Sequence, residues 1–260
     1  LRPLKQLAHA AESIGPKEGG KRIDAKAYGP EIEPFALQFN ALLERTERAY
    51  QELEAFNANV AHELRTPLAN LISQSEVELA KPRSPEELRE TLASNLEEAH
   101  RLSHLVTDML FLSHADRGVQ ARREPIDSLA FHMGEVVEFH ESDLDLRGQV
   151  VEVEGDATLL GDVSLIRRAV SNLIANAARY ALERSVIVIR IQENQDEAWL
   201  HVINRGPSLE PGQESQIFDR FYRVDDARTS STGGSGLGLY TARELAQAMG
   251  RDLTVESELG

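Results

Sequence analysis

The chain has 260 residues, of which 41% are hydrophobic and 27% charged; this composition is typical of a folded protein and excludes wholesale disorder. Its 43 acidic and 28 basic residues give a formal net charge of -15, which argues against nucleic acid as a partner because phosphate contacts need a basic surface. The absence of cysteine excludes disulfides and cysteine-based zinc sites, and it fits a reducing compartment such as the cytoplasm. No stretch approaches the ~20 apolar residues of a transmembrane helix, and because the chain begins at Leu1 we expect a fragment of a longer protein.

A long helix is predicted in the first third of the chain. Residues 1–14 carry apolar side chains at helical spacing, and the glycine and proline residues that follow predict a connector. From Glu31 the helical period returns and continues to about Lys81. Pro67 predicts a bend five residues after His62, because proline removes a backbone donor and clashes with the preceding turn.

A second helix is predicted directly after the first. The sequence at 84–87 is a strong start signal, with Ser84 as N-cap, Pro85 at the first helical position and Glu87 completing a capping box. An apolar stripe then continues to about Asp116, so we expect the two helices to pair as an antiparallel hairpin. Because one hairpin buries little apolar surface, we expect two copies to form a dimeric four-helix bundle.

The pattern changes to mixed elements after residue 122, which predicts a separate α+β domain. Met133, Phe139 and Trp199 are interpreted as core residues of that domain. The predicted strands are 150–153, 185–191 and 198–204, and the predicted helices are 162–182 and 237–249.

The first candidate site lies on the long helix. His62 and Thr66 are four residues apart and therefore share one helix face, with Glu63 beside them. A neutral imidazole next to a carboxylate can act as a nucleophile. The zinc motif H-E-x-x-H is not met, because Thr66 stands where the second histidine is required. Taken alone, the segment fits two interpretations equally well. His62 is either a solvated helix residue with Glu63 as a chance neighbour, or a nucleophile with Glu63 as its base.

Two further motifs are typical of phosphate binding. Asn172 and Asn176 are also four residues apart, and paired amides can hold a cation or a phosphate, although a polar helix face is the alternative. Gly234, Gly236 and Gly238 open a helix and would let the backbone approach a phosphate. Neither a Rossmann fingerprint nor a P-loop is present, so neither common nucleotide fold is predicted.

In this order and spacing the segments resemble the sensor histidine kinases. AHELRTPL is similar to their H box, NLIANAARY to the N box, FDRFYRVD to the F box and GGSGLGL to the second glycine box. The resemblance implies an α+β chain in which a long-helix antiparallel hairpin, paired as a dimeric four-helix bundle, precedes an α/β-sandwich ATP-binding domain of the histidine kinase/Hsp90 type. It divides the chain into the end of a HAMP-like relay at 1–50, a dimerisation and phosphotransfer hairpin at 51–118, and a catalytic domain at 122–260 whose last strand is truncated.

The resemblance also implies roles for individual residues. His62 would be the phosphoacceptor, Glu63 the base that orients and deprotonates its imidazole, and Thr66 the residue that positions water for dephosphorylating a partner. Asn176 would coordinate Mg²⁺ on the ATP phosphates, with Asn172 beside it. The other implied nucleotide contacts are Arg179, Tyr180, Asn204, Gly206, Phe218, Phe221, Arg223, Gly234, Gly236 and Gly238.

The first glycine box departs from the family pattern. Asn204 and Ser208 stand where most of the family has aspartate and glycine, whereas Gly206 matches. Asn204 keeps a carbonyl oxygen that can accept a hydrogen bond from the adenine amino group, but it lacks the carboxylate charge. We therefore expect ATP binding to be weakened but not abolished. Residues 228–236 are small and polar, and a mobile lid over ATP fits them.

The implied function is ATP-dependent autophosphorylation of His62, followed by transfer to an aspartate of a response regulator, with phosphatase activity as well. The implied setting is a homodimer attached to the inner membrane through upstream helices, with this fragment in the cytoplasm. The F box and Asn204 resemble the heavy-metal sensor branch. Two alternatives remain: a catalytically silent dimeric scaffold that binds nucleotide and partner, and a chaperone- or topoisomerase-type ATPase, against which the H box argues.

Overall fold

The computed structural model describes residues 22–115, 121–194, 197–224 and 235–258. The chain divides into two compact units, Leu1–Asn70 and Leu71–Gly260. Across the described ranges no helix has both the length and the apolar character that crossing a membrane requires. The helix predicted at the start of the chain lies outside the described residues.

The described residues of the first unit, 22–70, form a short connector and most of a long helix. A 3-10 helix spans Ala25–Tyr28, and helix α1 spans Glu33–Leu79, which is two residues shorter at each end than predicted. The side-chain amide of Asn40 accepts a hydrogen bond from the backbone N–H of Ile23 at 2.9 Å and donates to its carbonyl at 2.8 Å. These paired bonds fix the connector along the first turns of α1.

Helix α1 continues through Pro67 rather than ending there. The proline is buried, and because it has no N–H the carbonyl of Glu63 loses its usual helical donor. The bend predicted at this position stays a prediction.

In the second unit, helix α2 spans Pro85–Ala115, and its start confirms the predicted capping box. The backbone N–H of Ser84 donates to Glu87 Oε2 at 2.8 Å, and the N–H of Glu87 donates to Ser84 Oγ at 3.2 Å. Asn95 Nδ2 lies 3.3 Å from Ser75 Oγ and joins α2 to the last turns of α1. Residues 71–79 of α1 and the start of α2 therefore form a hairpin.

The rest of the second unit mixes helices and strands, which confirms the α+β fold class. The elements are β1 Glu124–Ile126, α3 Leu129–Leu146, β2 Val150–Glu154, β3 Leu159–Gly161, α4 Val163–Tyr180, β4 Val186–Glu193, β5 Ala198–Ile203, α5 Gln213–Gln216 and α6 Gly238–Ala248. The helices α3 and α5 and the short strands β1 and β3 were not predicted.

The main sheet has three strands in the order β2, β4, β5, with β2 parallel and β5 antiparallel to β4. A second sheet pairs β1 with β3 in antiparallel fashion. Alternate side chains of a strand point to one face, so Ile187, Ile189 and Ile191 of β4 are all buried, at 0, 0 and 4% exposure. Val170 and Ile174 of α4 join the last two of these in the core, so the helices cover one face of the sheet.

Three residues were interpreted as core, and only one of them is buried. Met133 is fully buried between α3 and the sheet, as predicted. Trp199 is 51% exposed because it lies on the opposite face of β5 from its inward-facing neighbours Leu200 and Val202. Phe139 is 64% exposed, with its ring 5.9 Å from that of His104 on α2. The core prediction was therefore wrong for both aromatic residues.

A half-buried histidine joins α3 to α4. His140 Nε2 lies 2.8 Å from Ser171 Oγ, and burial lowers the pKa of the imidazole. His104 acts in the same direction on this pKa, whereas Asp143 opposes both. The folded protein therefore favours neutral His140.

Because its pKa is lowered in the folded protein, His140 should make the free energy of unfolding depend on pH. Below the ordinary histidine pKa of about 6.5 the unfolded chain takes up a proton that the folded chain resists, so stability is lost as the pH falls. His140→Gln should therefore flatten the decline in the urea midpoint between about pH 7.5 and 5.5. His201→Gln, on an exposed strand position, is the control and should leave the decline unchanged. Equal slopes for the wild type and His140→Gln would contradict the assignment.

Candidate nucleotide site and phosphoacceptor helix

The candidate phosphoacceptor face lies on α1 in the first unit. His62 and Thr66 are exposed, and Glu63 is half-buried. Thr66 Oγ1 lies 3.5 Å from the carbonyl oxygen of His62, a long contact along the helix. The imidazole is thus accessible to a reactant from outside the helix, while its assigned chemical role stays a prediction.

The two candidate asparagines lie on adjacent turns of α4. Asn172 and Asn176 are half-buried, and neither side-chain amide hydrogen-bonds to another described residue. Gly238, the first residue of α6, lies beside Asn172, since a Cβ at this glycine would be 3.8 Å from Asn172 Oδ1. The amides therefore lie where the second glycine box begins its helix, and they are available to a ligand.

The start of α6 is suited to an anion. Its N-cap position is occupied by Leu237, which has no polar side chain to satisfy the first backbone N–H groups. These N–H groups carry the positive end of the helix dipole, so they favour a phosphate over a neutral ligand. Leu237 and Thr241 are fully buried and hold this end of α6 in place.

Positive charge is concentrated at the other end of α4. Burial is the main cause that lowers the pKa of Arg179, and the guanidinium groups of Arg101, Arg147 and Arg223 act in the same direction. Within the described ranges, no carboxylate forms a salt bridge with Arg147, Arg179 or Arg223. Partly buried guanidinium groups that repel one another are stabilised by an anion, and planar guanidinium groups bind phosphate well.

Gly206 of the first glycine box lies against the end of α4. A Cβ at this position would be 2.2 Å from the carbonyl oxygen of Tyr180, so only glycine allows the approach. The N–H of Leu182 donates to the carbonyl of Arg205 at 2.8 Å and holds the loop there. Asn204 is exposed at the end of β5, and Tyr180 is 37% exposed.

The F box is tied to the second glycine box through the backbone. Phe221 has a φ of 64° and Gly236 a φ of 68°, so both lie in the left-handed region. The N–H of Phe221 donates to the carbonyl of Gly236 at 3.0 Å, and a Cβ on the glycine would come within 2.7 Å of the Phe221 backbone. Phe218 is buried under Arg243 of α6, whose Cζ is 5.0 Å from the ring.

The structure thus gathers most of the predicted nucleotide residues around the second half of α4. Close contacts join Asn172 to Gly238 and Tyr180 to Gly206. Arg223 lies near enough to Arg179 to affect its pKa. Gly234 and most of the predicted lid lie outside the described residues.

Sequence reasoning missed a contact between α2 and α4. Arg168 Nη2 donates to Asp108 Oδ1 at 2.9 Å and to the carbonyl of Thr107 at 2.8 Å, and its Cζ lies 4.8 Å from the Phe111 ring centre. Burial raises the pKa of Asp108 although Arg168 lowers it. No local pattern marks this pair, because its members are sixty residues apart in the chain.

Comparison with known proteins identifies the class of this fold and site. The family described as His Kinase A (phospho-acceptor) domain matches residues 52–118. The family described as Histidine kinase-, DNA gyrase B-, and HSP90-like ATPase matches residues 161–260. The chain belongs to the sensor histidine kinases and carries a phospho-acceptor domain and an ATPase-like domain.

Its relatives are sensor proteins of the same class. The probable sensor protein PcoS of Escherichia coli is 35% identical over 258 residues, covering 99% of this chain and 55% of the relative. The sensor histidine kinase CusS of Escherichia coli is 36% identical, covering 98% and 54%. The sensor protein CzcS of Cupriavidus metallidurans is 33% identical, covering 100% and 54%. The chain therefore spans about half the length of these relatives.

Solved structures agree with the fold. The histidine kinase AdeS of Acinetobacter baumannii superposes with a TM-score of 0.57 at 25% identity, covering 72% of this chain and 86% of that one. Full-length ShkA, solved in complex with AMPPNP, gives a TM-score of 0.57 at 23% identity over 78% of this chain and 42% of its own. The second likeness shows the shared fold alone.

The approach of Gly206 to α4 predicts the effect of adding one methyl group. Gly206→Ala should displace the loop from Tyr180 and weaken ATP binding by roughly tenfold, or about 1.4 kcal/mol. Gly134→Ala on α3 is the matched control, since a Cβ there meets nothing within 4 Å and alanine favours a helix. Titration calorimetry with ATP measures both variants. Unchanged affinity in Gly206→Ala would contradict the contact.

Proposed function

We propose that the chain binds ATP with Mg²⁺ in its ATPase domain and transfers the γ-phosphoryl group to His62. The observation that carries this proposal is a pair of amides, Asn172 and Asn176, that hydrogen-bond to no other described residue and lie between the start of α6 and the arginines at the end of α4. Such a site suits a polyphosphate, and the same chain carries an exposed histidine in a phosphoacceptor domain. The ATPase family to which the domain belongs supports ATP as the nucleotide.

The residues around α4 fit the magnesium complex of ATP. Asn176 offers a carbonyl oxygen, the ligand type that Mg²⁺ prefers, on the helix face next to the predicted phosphate position. Arg179 and Arg223 supply positive charge toward the phosphates, and the first N–H groups of α6 supply donors. When bound at Asn176, Mg²⁺ would supply positive charge that neutralises the negative charge developing on the phosphoryl group during its transfer.

At His62 the chemistry is a phosphoryl transfer between two named groups. A ring nitrogen of His62 forms a bond to the γ-phosphorus while the bond from that phosphorus to the bridging oxygen breaks, leaving ADP. The imidazole gains positive charge, and Glu63 holds and then accepts the proton on the other ring nitrogen. Most of the acceleration is expected from positioning and charge neutralisation, because the transition state is loose.

The helical hairpin supports a homodimer as the working form. Large apolar side chains of α1 and α2 remain exposed in the single chain, and a partner hairpin would cover them in a four-helix bundle. Among these side chains are Leu53, Leu68, Ile72, Leu79, Leu92 and Leu96, with exposures of 54, 52, 52, 87, 66 and 59%.

The two-component setting follows from the class of the relatives. The phosphoryl group would pass from His62 to an aspartate of a response regulator that docks on the hairpin. Thr66 would position a water molecule that hydrolyses the phosphoaspartate of that partner and releases phosphate. Residues 1–50 would relay a signal from membrane helices upstream, with this part of the protein in the cytoplasm. The similarity to PcoS, CusS and CzcS supports the heavy-metal sensor branch.

Labelling with γ-labelled ATP and Mg²⁺ tests the transfer itself. The wild type should acquire label that is lost in acid and kept in base, as expected of a phosphohistidine, and His62→Gln should acquire none. His100→Gln on α2 is the control and should label normally. ATP binding without any label would favour the second candidate, a silent scaffold, which the missing carboxylate at Asn204 makes a specific alternative.

The role of Glu63 separates chemistry from binding. Glu63→Ala should slow single-turnover labelling by roughly a hundredfold while the Kd for ATP stays within about twofold, because the carboxylate belongs to the phosphoacceptor helix and not to the nucleotide site. Glu52→Ala, an exposed acidic position on the same helix, should change neither quantity. Equal losses of rate and affinity would refute the assignment of Glu63 as base.

A further inference from the structure

The turn between α3 and β2 is built as a rigid helix ending. Arg147 is the C-cap of α3, Gly148 follows with a φ of 62°, and the N–H of Gln149 donates to the carbonyl of Leu144 at 2.9 Å. The N–H of Gly148 donates to the carbonyl of Asp145 at 3.0 Å. These two bonds and the left-handed glycine form a Schellman motif, so the directions of the Arg147 and Gln149 side chains are fixed.

Both side chains reach the end of α4, where backbone carbonyls lack helical donors. Arg147 Nη1 donates to the carbonyls of Ala178 and Arg179, both at 3.3 Å. Gln149 Nε2 donates to the carbonyls of Ala181 and Leu182, also both at 3.3 Å. The turn therefore caps α4 from outside and fixes the residues that follow it.

The capped segment is the one that holds the first glycine box. The carbonyl of Tyr180 lies between the carbonyls bound by Arg147 and Gln149, and it receives the close approach of Gly206. The N–H of Leu182 holds the carbonyl of Arg205 at 2.8 Å. A shift of the Leu182 peptide would thus move the loop at 204–206.

One side-chain atom of Gln149, the amide oxygen Oε1, destabilises the folded protein. The residue is 3% exposed, and its Oε1 is buried and accepts no hydrogen bond from any described residue. A buried carbonyl oxygen without a donor destabilises the fold, whereas an apolar side chain of similar size would fill the space without that loss. The amide is therefore better explained by what its Nε2 holds.

We propose that Gln149 is a positioning residue for nucleotide binding. It acts through the turn at 181–182 and the loop at 204–206, and so it sets the placement of Tyr180 and Asn204 on the base side of the nucleotide. The inference rests on the proposed nucleotide site and adds a residue that touches neither the nucleotide nor His62. Arg147 supports the same segment, but its charge would also act on the phosphates directly.

Binding measurements on the whole chain test this role. Gln149→Leu should raise the Kd for ATP about tenfold and the Kd for ADP by the same factor, since a displaced base-side loop is felt equally by both nucleotides. The thermal midpoint should change little, because removal of the unpaired oxygen offsets the loss of the two hydrogen bonds that Nε2 donates. Gln149→Glu keeps the shape but replaces the donor by an acceptor, and it should weaken both nucleotides as well.

Two control variants separate positioning from other effects. Arg223→Ala, on the phosphate side, should weaken ATP more than ADP. Val136→Ala removes a core side chain that is 4% exposed, and it should lower the thermal midpoint while leaving the Kd values unchanged. Unchanged affinity in Gln149→Leu, or a loss of affinity that only parallels a loss of stability as in Val136→Ala, would overturn the inference.

The same measurements distinguish this inference from the proposed function. If the wild type binds nucleotide but His62 never acquires label, the kinase proposal is refuted. The Kd values of the Gln149 variants then still decide the role of Gln149. A wild type that binds neither ATP nor ADP overturns both together.

Discussion

The burial of one face of α4 against β4 is the interaction on which the rest of the structure depends. Ile174 and Ile189 are both fully buried in this contact. Successive helical residues are rotated by about 100°, so fixing the apolar face also fixes the direction of Asn172 and Asn176. Within the described ranges the asparagines need no side-chain partner, because the helix that carries them is held by apolar packing on its other side.

Close backbone approaches, more than side-chain hydrogen bonds, assemble the site around this helix. Gly206 touches the carbonyl at the end of α4, and Gly236 touches the backbone of Phe221. Each approach leaves no room for a Cβ, so the loops are located by contact with rigid neighbours. A site built in this way leaves the amides of Asn172 and Asn176 without partners among the described residues, which suits a ligand that needs both of them at once.

The sequence predicted those features that have a local signal. The capping box at Ser84, the apolar alternation of β4 and the asparagine spacing on α4 can each be read within a few residues. Trp199 was wrongly assigned to the core because the prediction considered only that the residue is large and apolar. Its position in β5 alternates with the inward-facing Leu200 and Val202, so its side chain faces outward. Two contacts could not be predicted in this way: that of Gln149 with α4 and that of Asp108 with Arg168. Both join segments that meet only in the folded chain, so no local sequence pattern indicates them.

The pairing of Asp108 with Arg168 has an evolutionary consequence. Both side chains are largely shielded from water, so a charge reversal at one position alone would leave two like charges facing each other beside Phe111. Single exchanges at either position are therefore disfavoured, while a joint exchange to two apolar residues is tolerated. In related sequences the residues at positions 108 and 168 should therefore covary. Such covariation would indicate that α4 packs against α2 in those proteins as well.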